Sequence, residues 1–273
     1  AIGNEGRAGG MDALWTAAPP SLRDLAHLLT LSNQGTPPDK TENTHPNRVE
    51  QAQSRVRKLV EKLTVLSSRS LDQAQRMDFR FLYDENRQLF HIGFGLAEGR
   101  LDNSYYDLLA SEARLSSLVA IAKGDVPAEH WQHLSRNLVW IGAGTRATLL
   151  SWSGTMFEYL MPPLIMASNP GTLLEEAERI AVEAQIRYGA ENHLPWGISE
   201  SAYYSFDVNG IYQYRAFGLR DICIRRELGN ELVIAPYATL LALPVNPDAT
   251  LKNITNLLSL GLEADYGLYE AVD

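Results

Sequence analysis

The 273-residue sequence predicts a mainly helical fold that carries one small β-hairpin. Three observations lead there. Apolar residues recur every three or four positions through most of the chain. Helix start and stop residues bracket those stretches. One segment alone shows two short apolar runs joined by a polar turn.

The elements follow in order. Residues 1–10 hold four glycines and no apolar run, and Ser21 is placed to cap a short helix over 22–31. Residues 33–46 are polar and contain prolines, the composition of a loop. Val56, Leu59, Val60, Leu63 and Val65 define an amphipathic helix over 46–67. Residues 78–83 and 89–94 flank the polar turn 84–88, which gives the hairpin. A long helix is expected from Asn103 or Ser104 to Ala122, with Leu108, Leu115, Leu118, Val119 and Ala122 inward. A shorter one is expected over 127–134. The strongly apolar helix 154–166 should break at Pro162 and Pro163, which remove backbone donors. Over 172–188, Leu173, Ala177, Ile180, Ala181 and Ala184 point to another buried face. Asn246 as cap, Pro247 at the first helical position and Gly261 as stop mark the last helix.

Composition removes several functions. The formal net charge is −9, so a nucleic-acid partner, which demands clustered Lys and Arg, is disfavoured. Cys223 is the single cysteine and lies between Ile222 and Ile224, so no internal disulfide forms and a small apolar role is expected. No apolar run reaches the roughly 18 residues of a membrane span, and the N-terminal residues lack a signal-peptide core. They read as an internal stretch of a longer protein. His130 and His133 share a helix but lack the remaining zinc pattern, and no metal is expected. Gly142-Ala143-Gly144 lacks the rest of a phosphate-binding loop, and no Gly-x-Ser-x-Gly elbow occurs. No cofactor is expected.

Carboxylates with aromatics remain. Asp102, Tyr106, Asp107, Ser111, Glu112 and Arg114 lie in one stretch, which reads either as part of a site or as a capped helix with acids paired to Arg114. Glu158 is the only charged residue between Arg146 and Glu175. Such a carboxylate is either paired or raised in pKa, and the second state suits a general acid. Pro195-Trp196-Gly197-Ile198-Ser199-Glu200 forms a rigid turn that sets Glu200 beside Trp196 and Tyr203. Flat aromatic faces fit the apolar faces of sugar rings, and carboxylates fit their hydroxyls or glycosidic oxygen. Tyr212-Gln213-Tyr214 is read as substrate lining or as an aromatic core segment. Glu270 and Asp273 are further subsite residues, or a solvated tail.

Tyr106-Asp107-Leu108-Leu109-Ala110-Ser111-Glu112-Ala113-Arg114-Leu115 and Trp152-Ser153-Gly154-Thr155-Met156-Phe157-Glu158-Tyr159 resemble the glucoamylase-like middle region of cyclic β-1,2-glucan synthases. So do Pro195-Trp196-Gly197-Ile198-Ser199-Glu200-Ser201-Ala202-Tyr203, Tyr212-Gln213-Tyr214, Val233-Ile234-Ala235-Pro236-Tyr237-Ala238-Thr239 and Tyr266-Gly267-Leu268-Tyr269-Glu270-Ala271-Val272-Asp273. The likeness covers residues 68–273, which it makes the catalytic domain, with 1–67 an N-terminal lead and helical extension. It implies an α/α toroid of six helical hairpins, of which this chain would hold a part, the family's domain continuing beyond residue 273.

The resemblance further implies that linear β-1,2-glucan is cyclised by retaining transglycosylation. The work would be done on the cytoplasmic side of a bacterial inner membrane, beside glycosyltransferase and phosphorylase-like regions of the same protein. Glu200 is expected as acid/base and Glu112 as nucleophile, with Glu158 in reserve. Asp102, Tyr106, Asp107, Arg114, Trp152, Trp196, Ser199, Tyr203, Gln213, Tyr214 and Glu270 are expected to bind the glucan. A β-1,2-glucan hydrolase and a non-catalytic glucan-binding module are the alternatives.

Overall fold

The computed structural model describes residues 46–141, 144, 146–225 and 232–272, which divide into two units, 46–77 and 78–272. The helix expected at 22–31, most of the loop before Pro46, and Asp273 lie outside the described residues.

The first unit is one helix, α1 (Pro46–Arg76). It runs past the expected end because residues 68–76 contain neither Pro nor Gly, and Arg76 pairs with Asp72 one turn back at 3.0 Å. Leu59, Leu63 and Leu66 along its apolar side are exposed.

The second unit opens with the expected hairpin, β1 (Tyr83–Asp84) and β2 (Leu89–His91), in the register Tyr83↔Phe90 and Asp84↔Leu89. Asp84 Oδ1 accepts the amide protons of Asn86 (2.9 Å) and Arg87 (3.1 Å), which tightens the turn. A second small hairpin, β3 (Phe94–Gly95) with β4 (Arg100–Leu101), follows, and β5 (Tyr105–Tyr106) then pairs with β2.

That pairing corrects the long helix expected from residue 103. Phe90 faces Tyr106, Ser135 N–H donates to Asp107 C=O at 2.6 Å, and Leu109 N–H donates to Ser135 C=O at 3.0 Å. Long-range partners thus take the backbone groups of 105–109, and the helix starts later, as α2 (Arg114–Lys123). Its buried residues are Arg114, Ser117 and Ala120, whereas Leu118 and Val119 are exposed. The periodicity was real but belonged to a shorter helix with another face inward.

The 127–134 region keeps one short helix, α3 (His130–His133). Two antiparallel ribbons were not legible as strands: β6 (Leu138–Ile141) with β7 (Arg146–Leu149), and β8 (Glu200–Phe206) with β9 (Tyr212–Ala216). In the first, β6 is apolar throughout and β7 is only four residues long, and the second contains a bulge between Tyr203 and Phe206. Between them lie α4 (Met156–Leu160), stopped by a 3₁₀ turn at Pro162–Leu164 as expected, and α5 (Leu173–Glu191), capped by Thr172. Short α6 (Pro236–Leu241) and α7 (Pro247–Ser259) complete the helices. The Asn246 side chain accepts from Ala249 N–H, as read from the sequence. The last pair is β10 (Glu263–Ala264) with β11 (Gly267–Leu268).

The main core gathers Leu149, Met156, Tyr159, Leu160, Val182, Ile222, Ala235 and Leu257 from these elements. Tyr159 organises its polar centre: its hydroxyl accepts from Ser151 N–H (3.0 Å) and reaches the carbonyls of Leu149 (2.8 Å) and Ile222 (2.9 Å). The loop ahead of α4 is pressed against the segment after β9. A Cβ on Gly218 would stand 1.9 Å from Ser153 C=O, and one on Gly154, whose φ is +73°, would stand 2.4 Å from Leu219 C=O.

Gly218→Ala is therefore expected to destabilise the chain by roughly 3 kcal/mol or more. Gly93→Ala, where a Cβ meets nothing within 4 Å, should be close to neutral. Denaturant midpoints check both, and an unshifted midpoint for Gly218→Ala would contradict the close approach.

Candidate active site

The site is built around an extended segment, residues 195–200, that enters β8. It is held by side chains rather than by neighbouring strands. Gln185 of α5 accepts from Ile198 N–H (2.8 Å) and donates to Ile198 C=O (2.7 Å), an amide standing in for a strand partner. Asn253 of α7 does the same for Trp196, accepting from its N–H (3.2 Å) and donating to its C=O (2.6 Å). Thr239 Oγ1 adds a bond to the same carbonyl at 2.8 Å. Gln185, Thr239 and Asn253 are buried, so each bond is shielded from water. Gly197, at φ +137°, lets the backbone approach α6, and its carbonyl accepts from Ala235 N–H at 2.9 Å.

Ser199 and Glu200 emerge from this brace. Ser199 Oγ accepts from Phe157 N–H (3.1 Å) and lies 2.9 Å from the Tyr237 hydroxyl, which also reaches Glu200 C=O at 2.7 Å. The Glu200 backbone is thus fixed, while its half-buried carboxyl projects outward. Among the described residues its hydrogen-bond partner is Tyr214 on β9, whose hydroxyl donates to Oε2 at 2.9 Å. Burial pushes the Glu200 carboxyl above the ordinary carboxylate range and the Glu112 charge pushes the same way, while the Tyr214 bond opposes both.

Glu112 sits in the turn ahead of α2. Ser111 Oγ donates to its Oε2 at 3.2 Å, and Ser111 Oγ in turn accepts from Ala113 N–H. Its charge also acts on Glu158 and on Tyr106. Glu270 reaches the neighbourhood from the chain's end: its carboxylate accepts from Ala202 N–H on β8 at 3.0 Å, and its charge raises Tyr214 and Tyr237. Glu112, Glu158, Glu200 and Glu270 therefore come together electrostatically from four separate parts of the sequence.

They are not alike. The Glu158 carboxylate is buried and accepts four hydrogen bonds: from Ser151 Oγ (2.9 Å), Ser153 N–H (3.0 Å), Thr155 N–H (2.8 Å) and Thr155 Oγ1 (3.1 Å). With Thr155 it closes a capping box on α4. Its pKa is raised by burial first, against these donors. These four bonds commit the carboxyl to holding the loop that carries Trp152. The spacing Thr155-Met156-Phe157-Glu158 is itself the capping-box signature, so this role was readable from the sequence.

Arg114 is likewise structural. It is 2% exposed. Nη1 donates to the carbonyls of Ser111 (3.4 Å) and Glu158 (3.1 Å), and Nη2 to that of Tyr159 (3.0 Å) and to Glu178 (3.3 Å). Burial pushes its pKa down to about 10, which leaves the guanidinium charged at neutral pH. It ties α2, α4 and α5 together behind the acids. It pairs with Glu178 rather than with Asp107.

Trp196 is also buried, 7% exposed within the core, and offers no open ring face. Ser199 is fully buried and acts through Tyr237 and Phe157. By contrast Trp152, Tyr106 and Tyr214 are exposed. Tyr203 is half-buried, edge-on to Phe217 and under the Arg215 guanidinium. Gln213 turns its amide onto Ile211 C=O at 3.0 Å, and Asp107 is exposed. Asp102 caps its own loop through Ser104 N–H (2.7 Å) and lines a cleft with Phe94, Glu98 and Arg100. Tyr237, Gln185 and Asn253 were missed: each is an unremarkable polar residue on a helix, and only the fold shows what it holds. Among the described residues no group of three metal-ligating side chains forms, and no helix is long and apolar enough to cross a membrane.

The "Glycoamylase" family model, described as "Putative glucoamylase", matches residues 104–273. The cyclic beta-(1,2)-glucan synthase NdvB of Rhizobium meliloti (strain 1021) is 47% identical over 215 residues, 79% of this chain. The chain spans only 8% of that relative's length. A crystal structure from Bacteroides caccae ATCC 43185, with the same description as the family model, aligns over 92% of this chain and 58% of its own. Its TM-score is 0.51 at 14% identity, a likeness of fold.

Tyr214→Phe removes the donor that favours ionised Glu200, so the Glu200 pKa should rise further. Carboxyl-carbon NMR titration is expected to show its midpoint move to higher pH. A midpoint that stays or falls would contradict the assigned bond.

Proposed function

We propose, from the premise that this chain belongs to the Glycoamylase family, that it cleaves and re-forms glycosidic bonds in linear β-1,2-glucan and closes the chain into rings. Membership and the glucan-synthase relative support a carbohydrate-active role, and the reaction and linkage are the further step. The observation that carries it is the contrast at Glu200: a half-buried carboxyl raised by burial and by the Glu112 charge and, among the described residues, hydrogen-bonded by one tyrosine.

A carboxyl whose pKa is raised keeps its proton to higher pH and can donate it to the leaving glycosidic oxygen. Glu112, with a single weak hydroxyl donor, keeps lone pairs for the anomeric carbon. In this reading Glu112 attacks and Glu200 protonates, giving a glycosyl–Glu112 ester and a freed chain end. Glu200, now ionised, then deprotonates a hydroxyl of the same glucan, which displaces Glu112 and closes the ring. Trp152, Tyr106, Asp107, Tyr203, Gln213, Tyr214 and Glu270 line the glucan, while Arg114, Glu158, Trp196 and Ser199 hold the frame. The six-hairpin toroid is the architecture we assign to the whole domain. Its work beside glycosyltransferase and phosphorylase-like regions at a bacterial inner membrane belongs to the same proposal.

Incubation with linear β-1,2-glucan is expected to yield products whose masses equal whole glucose residues with no added water. Glu200→Gln and Glu112→Gln should each lower turnover at least about 100-fold. Linear products with new reducing ends would replace cyclisation by hydrolysis. Bound glucan without turnover, unchanged in Glu200→Gln, would make this a binding module.

A further inference from the structure

The β8–β9 hairpin carries aromatic side chains well beyond Glu200. The register pairs Glu200 with Ala216 and Ala202 with Tyr214, and beyond the bulge Phe206 with Tyr212. Paired residues share a face, so Glu200, Tyr214, Tyr212 and Phe206 lie along one side of the ribbon. The bulge gives β8 two extra residues there and brings Tyr204 in as well. The Tyr204 and Phe206 rings stand edge to face at 5.4 Å, and Phe206 and Tyr212 at 5.0 Å.

These rings are exposed: Tyr204 is 75%, Phe206 50%, Tyr212 49% and Tyr214 59% exposed. A contiguous exposed aromatic patch on one element marks a contact surface. The ribbon is also held in shape. At its tip Asp207 Oδ1 accepts from Asn209 N–H (2.8 Å) and Ile211 N–H (2.9 Å), and Asp207 N–H donates to Ile211 C=O at 3.0 Å. The patch is rigidly presented, and the stretches 201–206 and 212–214 hold no charged residue.

We propose that this side of the hairpin is a track that guides the glucan to Glu200, with Tyr212, Phe206 and Tyr204 forming subsites outward from Tyr214; this rests on the glucan reading above. Three features select a neutral polysaccharide over a protein or an anionic polymer. The surface is uncharged, its rings carry hydroxyls that can bond sugar hydroxyls, and it is continuous with the carboxylate through the Tyr214–Glu200 bond. Tyr212 stands four residues beyond the partner of Glu200, about 13 Å along the strand, so the track takes several sugar rings. A long acceptor chain held there has its far end steered back to the site, which is what ring closure requires.

The test measures binding of linear β-1,2-glucans of graded length by calorimetry, in a Glu200→Gln chain that does not consume them. Adding Tyr204→Ala and Phe206→Ala is expected to weaken the longest glucan at least about tenfold, with a loss that shrinks as the glucan shortens. Tyr204→Phe with Phe206→Tyr, which keeps both rings, should restore most of the affinity. Equal affinity of the alanine variant at every length would overturn the track and leave the glucan reading intact. A loss that does not depend on length would also overturn it, since it would mark a disturbed site. No β-1,2-glucan binding by the Glu200→Gln chain at any length would overturn both readings.

Discussion

Two buried amide side chains hold the active-site segment in place. Gln185 and Asn253 each bond both backbone groups of one residue, Ile198 and Trp196, and so replace the strand that a sheet would have supplied. An extended segment inside a mainly helical domain has no ladder of its own, and its buried N–H and C=O groups would otherwise cost about 1–3 kcal/mol each. Because α5 and α7 both grip it, the position of Glu200 is tied to the packing of those helices. Tyr237 continues the grip onto Ser199 and the Glu200 carbonyl, up to the residue whose side chain is free to work.

The same economy of donors sorts the acids. Glu158 and Glu200 both feel burial and the charge of Glu112, yet four donors occupy Glu158 and one occupies Glu200. The first is a structural anchor that clamps the Trp152 loop, and the second is the group proposed to react. Arg114 hydrogen-bonds Glu178 and three carbonyls, so it stabilises the scaffold. A pair like Arg114–Glu178 adds little net stability, because burial acts against both charges. Losing one partner would strand the other.

Much of this was legible in the sequence. The cap Asn246 and the break at Pro162 specified helix ends correctly because they act locally. The motif around Glu200 was found because a proline, a glycine and aromatics crowd a lone acid. The long helix from residue 103 failed because β2 and Ser135 claimed its backbone from a distance. Likewise Trp196 reads as a sugar platform until the fold buries it. Residues whose importance is only to hold another residue, such as Gln185, Asn253 and Tyr237, leave no local pattern, and the partners that give them meaning lie from 13 to 57 positions away.

The account stands or falls on which carboxylate touches the sugar. An activated β-glucosyl donor offered to the Glu200→Gln chain, followed by proteolysis and mass spectrometry, reads this directly. The account predicts a glycosyl mass on the peptide containing Glu112, accumulated because the base that would release it is gone. An adduct on Glu158, or no adduct together with products of inverted anomeric configuration, would contradict it.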